Sequence, residues 1–537
     1  MATIDGSTAG LSRTGGFSGE DLRSSETVPA LTLLYHPDVQ RVGERAVLGE
    51  IGLGREALVS RHQPEFGAPG RASGEPLSDR HISRTPIRFQ PAPEGGVALS
   101  TTGSRTRVEA DGIPVREARE LPASALQRGV VLELSDRIVL LLHLVGAPLA
   151  DPRDGFGLIG DSDGLARVRW DVRRVADLDV PVLLRGETGT GKELVARAIH
   201  DAGRRRNGPF AAVSLGAIPP TLVASELFGA AKGAFTGSVR SQEGWFRRAH
   251  GGTLFLDEVG EAPAEVQVML LRALETGEIH PVGSQTTVRV DVRVVAATDA
   301  DLEERVRKEQ FRAPLLHRLA GYEIWLPPLR ERRDDIGRLL IHFLRQELEA
   351  IGEPCRLAPA PDLPTSSLWL PPKLVARLAR YDWPGNVRQL RNVARQLVIG
   401  SRGLPRLEIG PAVERLLRDP GAGSQGDSSG ARAFPVPPPQ SQPDRRKPSE
   451  VTEEELLAAL RTCRWDLQAA AEALRISRTS LYALIEANPS LRKAGDLKTD
   501  EIVICHQECG GDLDAMVDRL KVSKKALGRR LREMGLL

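Results

Sequence analysis

Four cysteines in 537 residues (Cys355, Cys463, Cys505 and Cys509) are too few for a disulfide framework, and no two pairs stand at metal-site spacing. Cys505, His506 and Cys509 alone offer too few ligands, so the thiols read as reduced groups of a cytoplasmic protein. An excess of one charge is also missing, since 73 Lys plus Arg face 71 Asp plus Glu. A nucleic-acid partner must therefore be argued from local sites, not from net charge. No apolar run approaches the ~20 residues needed to cross a bilayer. The longest, Ile138 to Val145, reads as a buried strand. The first residues, MATIDGSTAGLSRTGG, lack the charged start, apolar core and cleavage-like end of an export signal.

What is present is modular. Residues 1–28 are rich in Gly, Ser and Thr and read as an unstructured tail. Across 29–148, short apolar runs (Leu31–Tyr35, Ile87–Phe89, Val97–Leu99, Val130–Leu134, Ile138–Val145) alternate with Gly, Pro, Asp and Ser clusters, the pattern of an all-β sandwich. From 162 to 330 strands and helices alternate, which implies a parallel sheet flanked by helices. A helical stretch to 418 is interrupted near Pro354–Pro372, and the Pro-, Gly- and Ser-rich segment 419–450 reads as a linker. Residues 451–537 are helical and contain a repeat: WDLQAAAEALRISRTSLYALI at 465–485 aligns with GDLDAMVDRLKVSKKALGRRL at 511–531. The fold class expected is thus multidomain: β-sandwich, central α/β domain with a helical lid, and an all-α helix-turn-helix end.

Gly186-Glu187-Thr188-Gly189-Thr190-Gly191-Lys192-Glu193 follows an apolar strand and opens a helical run. In that context glycines let successive backbone N–H groups face a nucleotide's phosphates, and Lys192 adds a positive charge. Glu193 stands where a Ser or Thr usually helps to hold Mg²⁺. Some seventy residues on, the apolar strand Thr253-Leu-Phe-Leu runs into Asp257-Glu258. One such acid can bind Mg²⁺ while the other polarises an attacking water. A Gly-rich turn or a solvent-facing acid pair alone would be bland; both in one α/β unit point to ATP hydrolysis.

These residues resemble the AAA+ domain of sigma-54-dependent activators, the bacterial enhancer-binding proteins, over about 162–400. The most specific element is Gly233-Ala234-Phe235-Thr236-Gly237-Ser238, preceded by Ser225-Glu-Leu-Phe-Gly229. The resemblance implies that this loop contacts sigma-54 through Phe235 and Thr236. It also implies that Lys192 binds the β and γ phosphates, Asp257 the Mg²⁺, and that Glu258 is the base. Thr298 and Asp299 fall at the first sensor, Arg388 in Trp383-Pro-Gly-Asn-Val-Arg388 at the second, and Arg312 and Arg318 at the arginines that reach into a neighbour's site. The resemblance therefore also implies a closed ring, hexameric in the family. Three positions depart from the family: Ser214 replaces an Asn that pairs with the catalytic Glu, Asp299 an Asn, and Ser238 an Ala. Arg330, Arg332 and Arg333, in a charge-dense run, read as a solvated face, and Trp383 and Leu390 as core.

Residues 31–146 look like a forkhead-associated domain, which reads phosphothreonine. The matches are Gly54-Arg55, Ser83-Arg84 and Ser104, with Pro86 in place of the usual His and Arg105 or Arg107 in place of the usual Asn. Arg55, Ser83, Arg84 and Ser104 are the expected phosphopeptide contacts, which implies a phosphothreonine peptide or a Ser/Thr kinase as partner. The C-terminal repeat resembles the Fis-type helix-turn-helix. Ser477, Arg478, Thr479, Ser480 and Tyr482 lead the second helix of the first unit, and Lys524, Lys525, Arg529 and Arg530 suit phosphate contacts in the second. The function implied is an ATP-dependent activator that binds double-stranded DNA and remodels sigma-54 RNA polymerase holoenzyme. A ring ATPase acting on another substrate, and a repressor with a lapsed ATPase, stay open as rivals.

Overall fold

The computed structural model describes residues 27–418, apart from 71–72, 147–154, 232–240 and 360–361; between 451 and 531 it describes 451–462, 499–510, 513–520 and isolated positions. The chain divides into two compact units, Met1–Gly426 and Asp427–Leu537.

The first unit begins with ten strands: β1 (Val28–Tyr35), β2 (Arg45–Val47), β3 (Ala57–Val59), β4 (Ile87–Ala92), β5 (Gly96–Ser100), β6 (Val108–Ala110), β7 (Ile113–Pro114), β8 (Ala118–Leu121), β9 (Val130–Leu134) and β10 (Ile138–Val145). They form two antiparallel sheets, ordered β2-β1-β10-β9-β6-β7 and β3-β4-β5-β8. Leu31, Leu33, Leu132, Leu140 and Leu142 meet Phe89, Val97 and Leu99 in one core between the sheets. Side chains alternate across a strand, so the intervening residues of β1, β9 and β10 face the other way. There Leu34, Val131, Val139 and Leu141 share a second core with Leu340, Leu344, Leu374 and Val375 of helices Ile336–Ala350 and Pro372–Arg380. Ile138–Val145 therefore reads as an apolar run broken only by His143, because both of its faces are covered. The approach is close: a Cβ on Gly337 would lie 2.4 Å from the Leu34 carbonyl oxygen.

His143 on β10 is buried in this region, with its Nε2 2.8 Å from Thr32 Oγ1. Burial, with a smaller contribution from Arg45, pushes its pKa down to about 3. The folded state thus holds the imidazole neutral, whereas the unfolded chain takes up a proton near the ordinary value of about 6.5. Stability from this residue is full above that value and is lost as pH falls from it towards 3. Between pH 6.5 and 4.5 the wild-type chain is expected to lose about 2 kcal/mol more than His143→Leu. Parallel stability–pH curves from denaturant unfolding would exclude this.

A five-stranded parallel sheet follows, built from β11 (Val182–Arg185), β12 (Phe210–Ser214), β13 (Thr253–Asp257), β16 (Arg293–Thr298) and β17 (Tyr322–Trp325), in the order β12-β13-β16-β11-β17. A small hairpin, β14 (Glu278–Ile279) with β15 (Val288–Arg289), lies outside it. β11 starts directly after Pro181, because proline cannot donate to a ladder. Helices Asp163–Val175, Lys192–Asp201 and Ala264–Thr276 flank the sheet. The lid follows as Ile336–Ala350, Pro372–Arg380, Asn386–Gly400 and Pro411–Arg418, with Trp383 and Leu390 fully buried.

In the second unit, helices Glu453–Thr462, Thr499–Glu508 and Leu513–Leu520 are described. The repeat-aligned pairs Ala470 and Met516, Leu474 and Leu520, and Leu481 and Leu527 all enter one core. These three aligned apolar positions of the repeat are thus packing positions. Among the described residues no helix is long and apolar enough to cross a membrane.

Candidate active site

The phosphate loop sits between the end of β11 and helix Lys192–Asp201, and the ends of the neighbouring parallel strands gather the other groups around it. Parallel register pairs Ser214 with Asp257, and Arg185 with Thr298, at the carboxyl edge where α/β sheets bind ligands. Lys192 Nζ donates to the carbonyls of Gly186 (2.7 Å) and Glu187 (3.2 Å). Burial lowers its pKa, offset by Asp299, Asp257 and Glu258 around it. Burial likewise raises the Asp257 carboxyl, with Lys192 as its main counterweight.

Glu258 holds a left-handed backbone (φ 55°), a strained conformation for a glutamate that aims its side chain off the strand end. Its Oε2 accepts the Ser214 hydroxyl at 2.8 Å. Serine at this position therefore still reaches the glutamate. Asp299 accepts from Thr188 Oγ1 at 2.6 Å, and Thr298 is buried with its Oγ1 accepting from Ala300 N. Asp257, Glu258 and Asp299 all act on Lys192 beside the phosphate loop, although among the described residues no three such groups stand close enough to hold a metal by themselves. Mg²⁺ takes such donors, one or two at a time, with phosphates and water completing its shell, so the residues fit that ion.

The lid closes on the loop from the other side. A Cβ on Gly189 would fall 2.4 Å from the Gly385 carbonyl oxygen, so this contact requires glycine. Arg388 N donates to Gly189 O at 3.3 Å and leaves its exposed side chain over the loop. Asn386 is fully buried: its Oδ1 accepts from Leu329 N, and its Nδ2 donates to Glu187 Oε2 and Thr188 O. Between the α/β part and the lid lies a cavity of about 320 Å³ lined by Leu158, Ile159, Thr190, Leu194, Arg332 and Phe343 among others. That volume lies within the range of small-ligand pockets, ~300–1,000 Å³.

Several residues fall elsewhere than the sequence suggests. Arg332 and Arg333 do not line a solvated face, and Arg330, though exposed, is paired. Arg330 forms a two-pronged pair with Glu187 (2.6 and 2.9 Å), Arg333 pairs with Asp382, and Arg332 is buried with its Nη2 on Thr190 O. These contacts, and Asn386, were missed because they span distant segments; only the position of Asn386 inside Trp383–Arg388 hinted at a role. Arg312 and Arg318 are exposed on or beside helix Ala313–Leu319, and Arg318 donates to Leu274 O rather than to its own phosphate loop. Glu193 is exposed in the first turn after Lys192.

In the N-terminal sheets, Ser83, Thr85, Ser104 and Thr106 meet at one end, with Ser104 Oγ on Thr85 O and Thr106 Oγ1 accepting from Ser83 N. Arg55 is not among them. It precedes the end of β3 that pairs with Phe89, whereas Ser83 follows the end that pairs with Ile87. The arginine beside Ser83 is Arg61, whose N–H donates to Ser83 O (3.1 Å) and whose guanidinium lies on the Asp79, Arg80 and Ile82 carbonyls. An arginine two residues past the end of the apolar β3 was the available signal. The loop Gly233–Ser238 and the residues Ser477, Arg478, Thr479, Ser480, Tyr482, Lys524, Lys525 and Arg529 lie outside the described residues.

Residues 158–325 match the sigma-54 interaction domain, 330–408 the AAA+ ATPase lid domain, and 448–485 the Fis family of bacterial regulatory proteins. These three segments match an NtrC-like sigma-54 enhancer-binding protein. The chain is 48% identical over 240 residues to the DNA-binding transcriptional regulator NtrC of Azospirillum brasilense, covering 45% of this chain and 47% of that one. It is 40% identical over 338 residues to the nitric oxide reductase transcription regulator NorR1 of Cupriavidus necator, covering 63% of each. A crystal structure of NtrX from Brucella abortus in complex with ATP aligns at 30% identity and TM-score 0.43, over 62% of this chain and 69% of that one. The chain thus spans about half the length of the NtrC relatives it matches. The sigma-54 interaction domain holds the whole Lys192, Asp257, Glu258 and Asp299 constellation, and its lid contributes Arg388 and Asn386.

Proposed function

We propose that the chain is an ATP-driven transcription activator that binds DNA through its Fis-type segment and remodels sigma-54 RNA polymerase holoenzyme. The observation that carries this reading is the convergence of Lys192, Asp257, Glu258 and Asp299 beside a lid-covered cavity, within a sigma-54 interaction domain. The cavity takes the adenosine part of ATP, and the loop Gly186–Lys192 cradles its phosphates. Lys192 leaves the Gly186 and Glu187 carbonyls for the β and γ phosphates. Mg²⁺, when held by Asp257, supplies charge neutralisation on the phosphate oxygens. Glu258, held by Ser214, accepts a proton as a water oxygen forms its bond to the γ phosphorus and the bond to ADP breaks. Arg312 and Arg318 serve the next protomer of a ring, and Arg388, Thr298 and Asp299 sense the nucleotide. Hydrolysis moves the Phe235 loop, Gly233–Ser238, against sigma-54.

The N-terminal sheets are in this reading a forkhead-associated-like β-sandwich. Its phosphopeptide pocket combines Ser83, Arg84 and Ser104 with Arg61 in place of Arg55, since Arg61 is the cation beside Ser83. A phosphothreonine peptide or its kinase is the corresponding partner.

Association with sigma-54 holoenzyme in the presence of ATP and transition-state mimics tests the central reading. Wild type is expected to bind in at least one nucleotide state, and Phe235→Ala to lose that binding while keeping ATPase activity. Normal hydrolysis with no association in any state would sink it.

A further inference from the structure

The turn Leu329–Asp335 runs as two short 3₁₀ helices between the sheet and the lid, and it is gripped from two sides. Towards the phosphate loop, Arg330 pairs with Glu187, Arg332 Nη2 donates to Thr190 O at 3.3 Å, and Leu329 N is held by Asn386. Arg332 is buried, its Nε meets no acceptor among the described residues, and it lines the cavity under the lid. Towards the N-terminal sheets, Asp334 Oδ2 accepts from Arg45 Nη2 at 2.8 Å. Arg45 lies on β2, outside the ATPase segment altogether. Its own Nε donates to Thr32 Oγ1, its Nη2 reaches Asp161 O, and Asp163 stands 3.9 Å from its Nη1. Asp335, next in the turn, is pinned by Asp161 N, Ser162 N and Ser162 Oγ. Asp334 and its guanidinium partner are both nearly solvent-free, with side-chain exposures of 9% and 11%.

We propose that Arg45 is a positioning residue of the nucleotide site: by holding Asp334 it fixes the turn whose Arg330 and Arg332 set the phosphate loop at Glu187 and Thr190. The physical reason is that a buried carboxylate stripped of its cation is costly, so the turn shifts to let Asp334 reach water or take up a proton. Arg332 and Arg330 sit two and four residues from Asp334 in a tight turn and move with it. The N-terminal sheets thereby act on ATP affinity through a rigid connection rather than through contact with the nucleotide. This inference rests on reading the Gly186–Lys192 loop as the ATP site.

The test uses the full chain and measures ATPase KM and kcat, ATP affinity by calorimetry and the thermal midpoint for Arg45→Gln, Arg45→Lys, Asp334→Asn and the double variant Arg45→Gln/Asp334→Asn. Arg45→Gln is expected to raise KM and Kd for ATP roughly tenfold with kcat within about twofold. Arg45→Lys should restore most of the affinity. The double variant should bind ATP no more weakly than the worse single variant, because the two residues act as one unit. A lowered thermal midpoint with unchanged KM in Arg45→Gln and Asp334→Asn would make the pair merely structural and overturn the proposal, as would fully additive losses. If Arg45→Gln does not fold, Asp334→Asn, which keeps the side-chain shape, decides alone. Lys192→Ala is the control: if it binds ATP normally, the reading of the loop has failed, not the role of Arg45.

Discussion

Arg318→Ala is expected to lower the ATPase kcat by about 10³-fold while ATP affinity changes only a few-fold. The side chain is exposed, and its guanidinium rests on the Leu274 carbonyl, so within its own chain it has no share in holding nucleotide. A guanidinium supplied by a neighbour, however, neutralises charge on the transferred phosphoryl, and its loss is felt in the transition state rather than in binding. Such a role in trans makes a further demand. Mixing Arg318→Ala with the inactive Lys192→Ala chain should recover activity, because one kind of junction then pairs an intact loop with an intact arginine. If the mixture stays as inactive as its parts, Arg318 acts within its own chain and the ring reading fails. Arg312, at the start of the same helix, is open to the same mixing experiment.

The parts of the site that could be read from sequence are those in which chemistry and chain proximity coincide. Gly186 to Lys192 form one turn, and Asp257 and Glu258 are neighbours at one strand end, so spacing alone carries them. The groups that hold these parts in place come from far away. Arg330 meets Glu187 across 143 positions and Arg45 meets Asp334 across 289. Nothing local in the charge-dense stretch Arg330–Asp335 distinguishes a pinned turn from a solvated one. The apolar run Ile138–Val145 likewise announces burial, but which element covers its second face is decided by the lid helices some two hundred residues on. Arg55 lies apart from Ser83 for a related reason: Gly54-Arg55 fits the motif, whereas the pairing of β3 with β4 puts Arg61 next to Ser83.

Glu258→Gln should reduce hydrolysis by about 10³-fold and leave ATP bound, since the amide keeps the shape but no longer takes a proton from water. Ser214→Ala is the more informative companion. The serine hydroxyl donates to Glu258 Oε2 at 2.8 Å and has no direct part in the chemistry, so its removal frees the carboxylate without deleting it. A smaller loss in kcat, roughly tenfold, is expected, with KM unchanged. Adding Ser214→Ala to Glu258→Gln should then have no further effect, because the hydroxyl acts only through the carboxylate. If the second substitution costs as much in that background as in the wild type, Ser214 acts on the nucleotide by another route, and the Ser214–Glu258 hydrogen bond is incidental to turnover.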